Sequence, residues 1–209
     1  AYKPLRQASS LAVLITAIGV SYFLQNAALL LWGADPKVFT PVIPEGSLPI
    51  SGVNITYVAL VTVLACVIIM LALTWFTSKT KMGKAMRACS EDKAAAQLMG
   101  INVNRTISMT FAIGSALAAI AGVLLCSSYR TLMPTTGSLP GIKAFTAAVF
   151  GGIGSIPGAM LGGILLGIIE TFAKVINTNI SDAVVFAVLI IVLLVKPAGL
   201  LGKTVREKV

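Results

Sequence analysis

Three long apolar runs set the pattern of this chain. Leu11–Trp32 holds no charged residue in 22 positions, Thr56–Phe76 none in 21 and Thr106–Cys126 none in 21. At about 1.5 Å of rise per residue, each run makes a helix roughly 31–33 Å long, matching a hydrocarbon core of about 30 Å. All three are therefore predicted to cross a membrane. A fourth run, Ala144–Ile169, is interrupted at Gly151–Gly158 by GGIGSIPG, whose four glycines and one proline oppose a continuous helix. The piece before the break is about 12 residues, roughly 18 Å, too short to cross alone. The pattern predicts a short or half helix over 142–152, a turn, and a second helix over 157–173, with the break tolerated only where protein or a wet cavity surrounds it. A last helix is predicted over 181–195, with Lys196 able to snorkel and Pro197 ending it.

Composition agrees with this pattern. Of 209 residues, 57% are hydrophobic and 11% charged, whereas soluble domains carry about 25% charged residues. The net charge of +9 would suggest nucleic acid in a soluble protein. Here the cations cluster at the edges of apolar runs, so the partner they imply is a lipid bilayer rather than nucleic acid. There is no histidine, and the three cysteines, Cys66, Cys89 and Cys126, show no metal spacing; no metal or cofactor is expected, and no histidine-based triad can be built. The opening AYKPLRQ reads as a loop entering a span, without the n-region and cleavage site of a signal peptide, and the expectation is that an N-terminal part of a longer protein precedes it.

Charge sets the orientation. If the loop 77–105 is cytoplasmic, the N-terminal stub (Lys3, Arg6) is too, and counting the broken segment as a down-and-up pair places the tail (Lys196, Lys203, Arg206, Lys208) on the same side. That side then collects twelve of the 16 Lys and Arg residues, leaving Lys37, Arg130, Lys143 and Lys174 opposite. A single pass through the broken segment would export the basic tail, against the positive-inside rule. The expected product is an all-α polytopic bundle, a single transmembrane domain over 1–209 in the plasma or inner membrane, with an extended, irregular outer loop over 33–54.

The loop 77–105 carries six cations against Glu91 and Asp92. At a helix centre each charge costs about 2.5–3.5 kcal/mol and each large apolar residue returns about 0.3–0.6, so this loop lies in water. Within it, GKAMRACSEDKAAAQLMG predicts a helix: Ser90 as N-cap, Glu91 and Asp92 in the first turn, strong helix formers to Met99, and Gly100 at C′. A shorter turn over Gly83–Cys89 precedes it. Ala94, Ala95, Leu98 and Met99 fall towards one side, giving a small, smooth, slightly apolar face.

GKAMRACSEDKAAAQLMGI resembles the cytoplasmic coupling loop of ABC-importer permeases, and FAIGSALAAIAGVL, KAFTAAVFGGIGSIPGAMLGG and VKPAGLLG are similar to the branched-chain amino acid (LivH-like) subfamily. The likeness covers Ala1 to Gly202. In this chain Asp92 and Lys93 stand between Glu91 and the alanines. The resemblance implies that helix 91–100 docks on an ABC ATPase through Arg87, Glu91, Ala94, Ala95, Leu98 and Gly100. It also implies a second homologous permease, an external solute-binding protein and an amino acid substrate, with ATP hydrolysed by the partners and this chain not itself an enzyme. No GxxxxGK[ST] element is present.

Small residues permit close helix approach in lipid. Gly114, Ser115, Ala118 and Gly122 on one helix are therefore candidates for packing or for lining a pathway. So are Gly151, Gly152, Gly154, Pro157, Gly158 and Gly162 around the break, and Gly163 with Gly167 on the helix after it. Gln25, Asn26, Ser108, Thr110, Ser115 and Thr171 are the polar residues able to line a path. Glu170 is the acid nearest a span and is expected to face protein or the interface. The shortage of deep ionisable groups argues against an ion-coupled pump. A secondary transporter or channel, and an importer for urea or amides, are the alternatives; a membrane enzyme lacks the paired groups it would need.

Overall fold

The computed structural model describes residues 10–40, 42–44, 46–50, 53–178, 180–196 and 198–202. The basic stub Lys3 and Arg6, the tail cations Lys203, Arg206 and Lys208, and Pro41 and Pro197 lie outside the described residues. Eight helices follow in order: α1 (Ser10–Trp32), α2 (Tyr57–Lys79), α3 (Lys81–Glu91), α4 (Lys93–Leu98), α5 (Val103–Tyr129), α6 (Ser138–Gly151), α7 (Ile156–Ile176) and α8 (Ser181–Val195). Four of them, α1, α2, α5 and α7, are long and apolar enough to cross a membrane. The fold is all-α and polytopic.

Local chemistry explains the boundaries. α5 begins at Val103 because the Asn102 side chain accepts from Arg105 N at 3.1 Å. It ends at Arg130, which adopts φ 54 and whose N–H donates to Cys126 O at 2.8 Å. The loop between α1 and α2, read from the sequence as irregular, instead forms two short pairings. β2 (Ser47–Ile50) pairs antiparallel with β3 (Val53–Thr56), and β1 (Lys37–Val38) pairs with β4 (Thr131–Leu132) after α5. The second pairing ties the ends of α1 and α5 together on the side remote from α3 and α4.

The broken segment is an antiparallel helix pair. α6 and α7 are joined by a turn at 152–155 in which Gly152 and Gly154 take φ +107 and +91, values that favour glycine. The Ser155 side chain then caps α7 by accepting from Gly158 N at 3.1 Å, and Pro157 sits in the first turn, where its missing N–H costs nothing. The two helices touch through glycine. A Cβ on Gly158 would meet Gly151 O at 2.5 Å, and one on Gly162 would strike Ala147 O. α8 packs on this pair, and Phe150, Leu166 and Val185 form the buried centre, flanked by Ala147, Val188, Leu189, Val192 and Leu200. The chain beyond α8 returns to the turn: Leu200 N donates to Phe150 O and Leu201 N to Gly151 O, both at 2.9 Å.

Candidate functional site

The loop 77–105 is a structured platform. A corner at Thr80 turns the chain from α2 into α3; its hydroxyl accepts from Gly83 N at 3.0 Å and donates to Phe76 O at 2.6 Å. Gly83 is buried in that corner, where a Cβ would run into Phe76 O and Thr77 Cα. α3 therefore begins at Lys81 and is longer than the short turn expected from the sequence. It packs on α2 and α5, with Cys89 buried at the contact.

The single helix expected over 91–100 is two pieces. α3 continues through Ser90, whose hydroxyl donates back to Arg87 O at 2.7 Å, so Ser90 is not the N-cap. Asp92 is. Its backbone is extended (φ −149, ψ 113), and its Oδ1 accepts from Ala94 N at 2.7 Å and Ala95 N at 3.0 Å. Both bonds reach one oxygen of a carboxylate whose negative charge complements the helix dipole. At the other end Ile101 N donates to Ala96 O and Gly100 N to Gln97 O, both at 3.0 Å, with Gly100 at φ +80, the Schellman arrangement. α4 is thus fixed at both ends. Ala96 turns inward and is buried, while Arg87, Glu91, Ala94, Ala95, Leu98 and Gly100 are all exposed. Leu98 and Met99 are 89% and 83% exposed.

The pathway candidates divide. Gly151, Gly152, Gly158 and Gly162 lie in the close α6–α7–tail contacts described above. Gly114, Ser115 and Ala118 instead line, with Thr110 and Phe111, a shallow groove along α5, and an added Cβ at Gly114 or Gly122 would meet nothing within 4 Å. Thr110, Ser108 and Thr171 donate to carbonyls one turn back on their own helices, and Asn26 does the same to Tyr22 O. Gln25 bridges helices, donating to Ser138 Oγ on α6 at 3.2 Å.

A feature the sequence did not reveal lies at the end remote from α4. A cavity of about 760 Å³ opens between the C-terminal ends of α5 and α7, the N-terminal half of α6, and α8. Leu125, Leu139, Ala144, Leu166 and Val185 give it an apolar wall, and Gly163 and Gly167 line it too. One edge is ionic. Lys143 Nζ lies 2.9 Å from Glu170 Oε1 and 2.7 Å from Asp182 Oδ1, and Lys174 Nζ lies 2.6 Å from the same Glu170 oxygen. The Glu170 side chain is 17% exposed, facing protein. Glu170 and Lys174 are an i,i+4 pair on α7, Lys143 reaches Glu170 from α6, and Asp182 reaches Lys143 from α8.

Comparison with known proteins bears on these two regions. The model of the family described as branched-chain amino acid transport system / permease component matches residues 6–193. The chain belongs to this permease family. The high-affinity branched-chain amino acid transport system permease protein BraD of Pseudomonas aeruginosa is 48% identical over all of this chain and 70% of its own length. LivH of Escherichia coli K12, a permease protein of the same description, shows the same identity and coverage. The probable branched-chain amino acid transport permease protein LivH of Methanocaldococcus jannaschii is 28% identical over 97% of the chain and 68% of its own length. No solved structure matches the chain. Both the α3–α4 platform and the cavity fall inside the matched residues of this permease family.

Proposed function

We propose that the chain is the translocating permease subunit of an ATP-driven importer of branched-chain amino acids, driven by separate ATPase subunits that dock on the α3–α4 platform from the cytoplasm. The observation that carries this reading is the exposure of Leu98 and Met99 (89% and 83%) on a helix capped at both ends within a charged segment. Apolar side chains held rigidly in water suit a protein surface that covers them. The six residues of α4 span only about 9 Å, well short of a standard interface of about 800 Å² per partner. Arg87 and Glu91 on α3 extend the surface. Because α3 packs on α2 and α5, a push on the platform moves two membrane helices together. A second permease of the same family packs on the open α5 face at Gly114–Gly122, and an external solute-binding protein delivers substrate to the opposite side.

The test is uptake of leucine by the complete transporter in vesicles, with ATPase co-purification measured alongside. Ala95→Arg places a long charged side chain on the docking face. The expected result is normal membrane insertion, reduced ATPase capture and at least ten-fold slower ATP-driven uptake. Undiminished uptake would remove the docking role, and leucine flux through the chain reconstituted alone would favour a self-sufficient transporter.

A further inference from the structure

The cavity remote from α4 has the composition of a ligand site rather than of a packing defect. Its volume of about 760 Å³ falls within the range of about 300–1,000 Å³ typical of small-molecule pockets. Its apolar wall is furnished by aliphatic side chains of α5, α6, α7 and α8, and Gly167 keeps that wall open, since an added Cβ there meets nothing within 4 Å. The charged edge is asymmetric. Lys143, Glu170 and Lys174 line the cavity, but Asp182, which balances Lys143, lies outside the lining. The wall therefore presents two ammonium groups and one carboxylate.

Each ammonium has three donors. Lys143 directs contacts to two carboxylates and Lys174 to one, so their inventory leaves capacity for an incoming acceptor. A further anion would be held by charge-assisted bonds from both lysines. The cluster sits where α7 ends and α8 begins, and a latch joining three helices would not need a cavity in front of it.

We propose that this cavity is a transient binding site on the transport path for an aliphatic α-amino acid, with Lys143 and Lys174 holding its carboxylate, Glu170 its ammonium and the α5–α8 wall its side chain. The proposal rests on the permease reading above and adds to it a place where this chain itself handles substrate. Occupation would loosen the Lys143–Glu170 and Lys174–Glu170 pairs, which join α6 to α7 and brace α7 itself, so the site is also where substrate can alter the helix pair.

The experiment uses the assembled transporter without its solute-binding protein, in nanodiscs, and measures binding of radiolabelled L-leucine. Two competitors divide the contacts: 4-methylpentanoate keeps the carboxylate and the side chain, whereas leucinamide lacks the carboxylate. Weak saturable binding is expected, displaced by 4-methylpentanoate at least ten-fold better than by leucinamide. Lys174→Gln should weaken it about ten-fold, as loss of one charge-assisted bond does, with Lys174→Arg restoring most of it. Gly167→Leu, which fills the wall without touching a charge, should abolish it. ATPase capture and basal ATP hydrolysis report assembly, and both should persist in these variants. Absence of saturable leucine binding overturns the proposal. So does unchanged binding in assembled Gly167→Leu, or equal competition by leucinamide. A wild-type complex that transports leucine while showing any of these results keeps its permease function and loses only this site; failure of the wild type to transport leucine would instead strike the permease reading.

Discussion

Asp92 shows how one side chain sets the geometry of the platform. Ser90 and Asp92 are both good capping residues two positions apart, and the sequence reading places the N-cap at Ser90. The structure chooses Asp92, because its carboxylate takes both Ala94 N and Ala95 N while the Ser90 hydroxyl is satisfied by Arg87 O. Removing an N-cap costs about 0.5–2 kcal/mol. Asp92→Ala should therefore speed amide exchange at Ala94 and Ala95 by about 2- to 30-fold if local opening governs exchange, while Asp92→Asn, an equally good cap, should change little. Hydrogen exchange followed by mass spectrometry on the detergent-solubilised complex reads this directly. Slower exchange in Asp92→Ala would mean that α3 and α4 fuse once the break is removed, and that Asp92 serves to divide them rather than to stabilise α4.

The helices differ in how plainly the chain announces them. Long uncharged runs made α1, α2 and α5 legible, because a span must satisfy its backbone internally over a fixed thickness. GGIGSIPG announced the break before α7, since glycine and proline act locally. What closes that break was not legible. Gly152 meets the returning tail, where an added Cβ would strike Gly202 N, and the tail's N–H groups at Leu200 and Leu201 complete the bonding of Phe150 and Gly151. Residues fifty positions apart leave no periodic trace of such a contact. The ionic edge of the cavity was hidden for the same reason, being assembled from α6, α7 and α8. Three substitutions should separate backbone strain from contact. Gly152→Ala adds a clash to an unfavourable φ of +107, Gly154→Ala meets only the unfavourable φ of +91, and Gly114→Ala meets neither. Thermal unfolding in detergent should fall most for Gly152→Ala, by more than about 1 kcal/mol, less for Gly154→Ala, and not at all for Gly114→Ala, where alanine is the better helix former by about 1 kcal/mol. Equal losses at positions 152 and 154 would show that the tail contact contributes nothing.

As a whole the molecule is far from closed. Among the described residues, many aliphatic and aromatic side chains on α1, α2 and α5 are exposed. Such a surface needs lipid and neighbouring subunits to cover it. Orientation then decides what covers which end. α5, with 27 residues, is about 40 Å long, so the platform before it and the β1–β4 pairing after it lie on opposite sides of a bilayer. The platform carries Lys79, Lys81, Lys84, Arg87, Lys93 and Arg105, and the proposed docking role, like the positive-inside rule, requires it to face the cytoplasm. Cysteine labelling checks this without any partner. Cys66, Cys89 and Cys126 are replaced first, then Val38→Cys or Met99→Cys is introduced at positions 89% and 83% exposed. In right-side-out vesicles a membrane-impermeant maleimide should modify the cysteine at position 38 at once, and that at position 99 only after the membrane is opened. The reverse pattern would put the platform on the side without ATP, and no ATPase could then reach it.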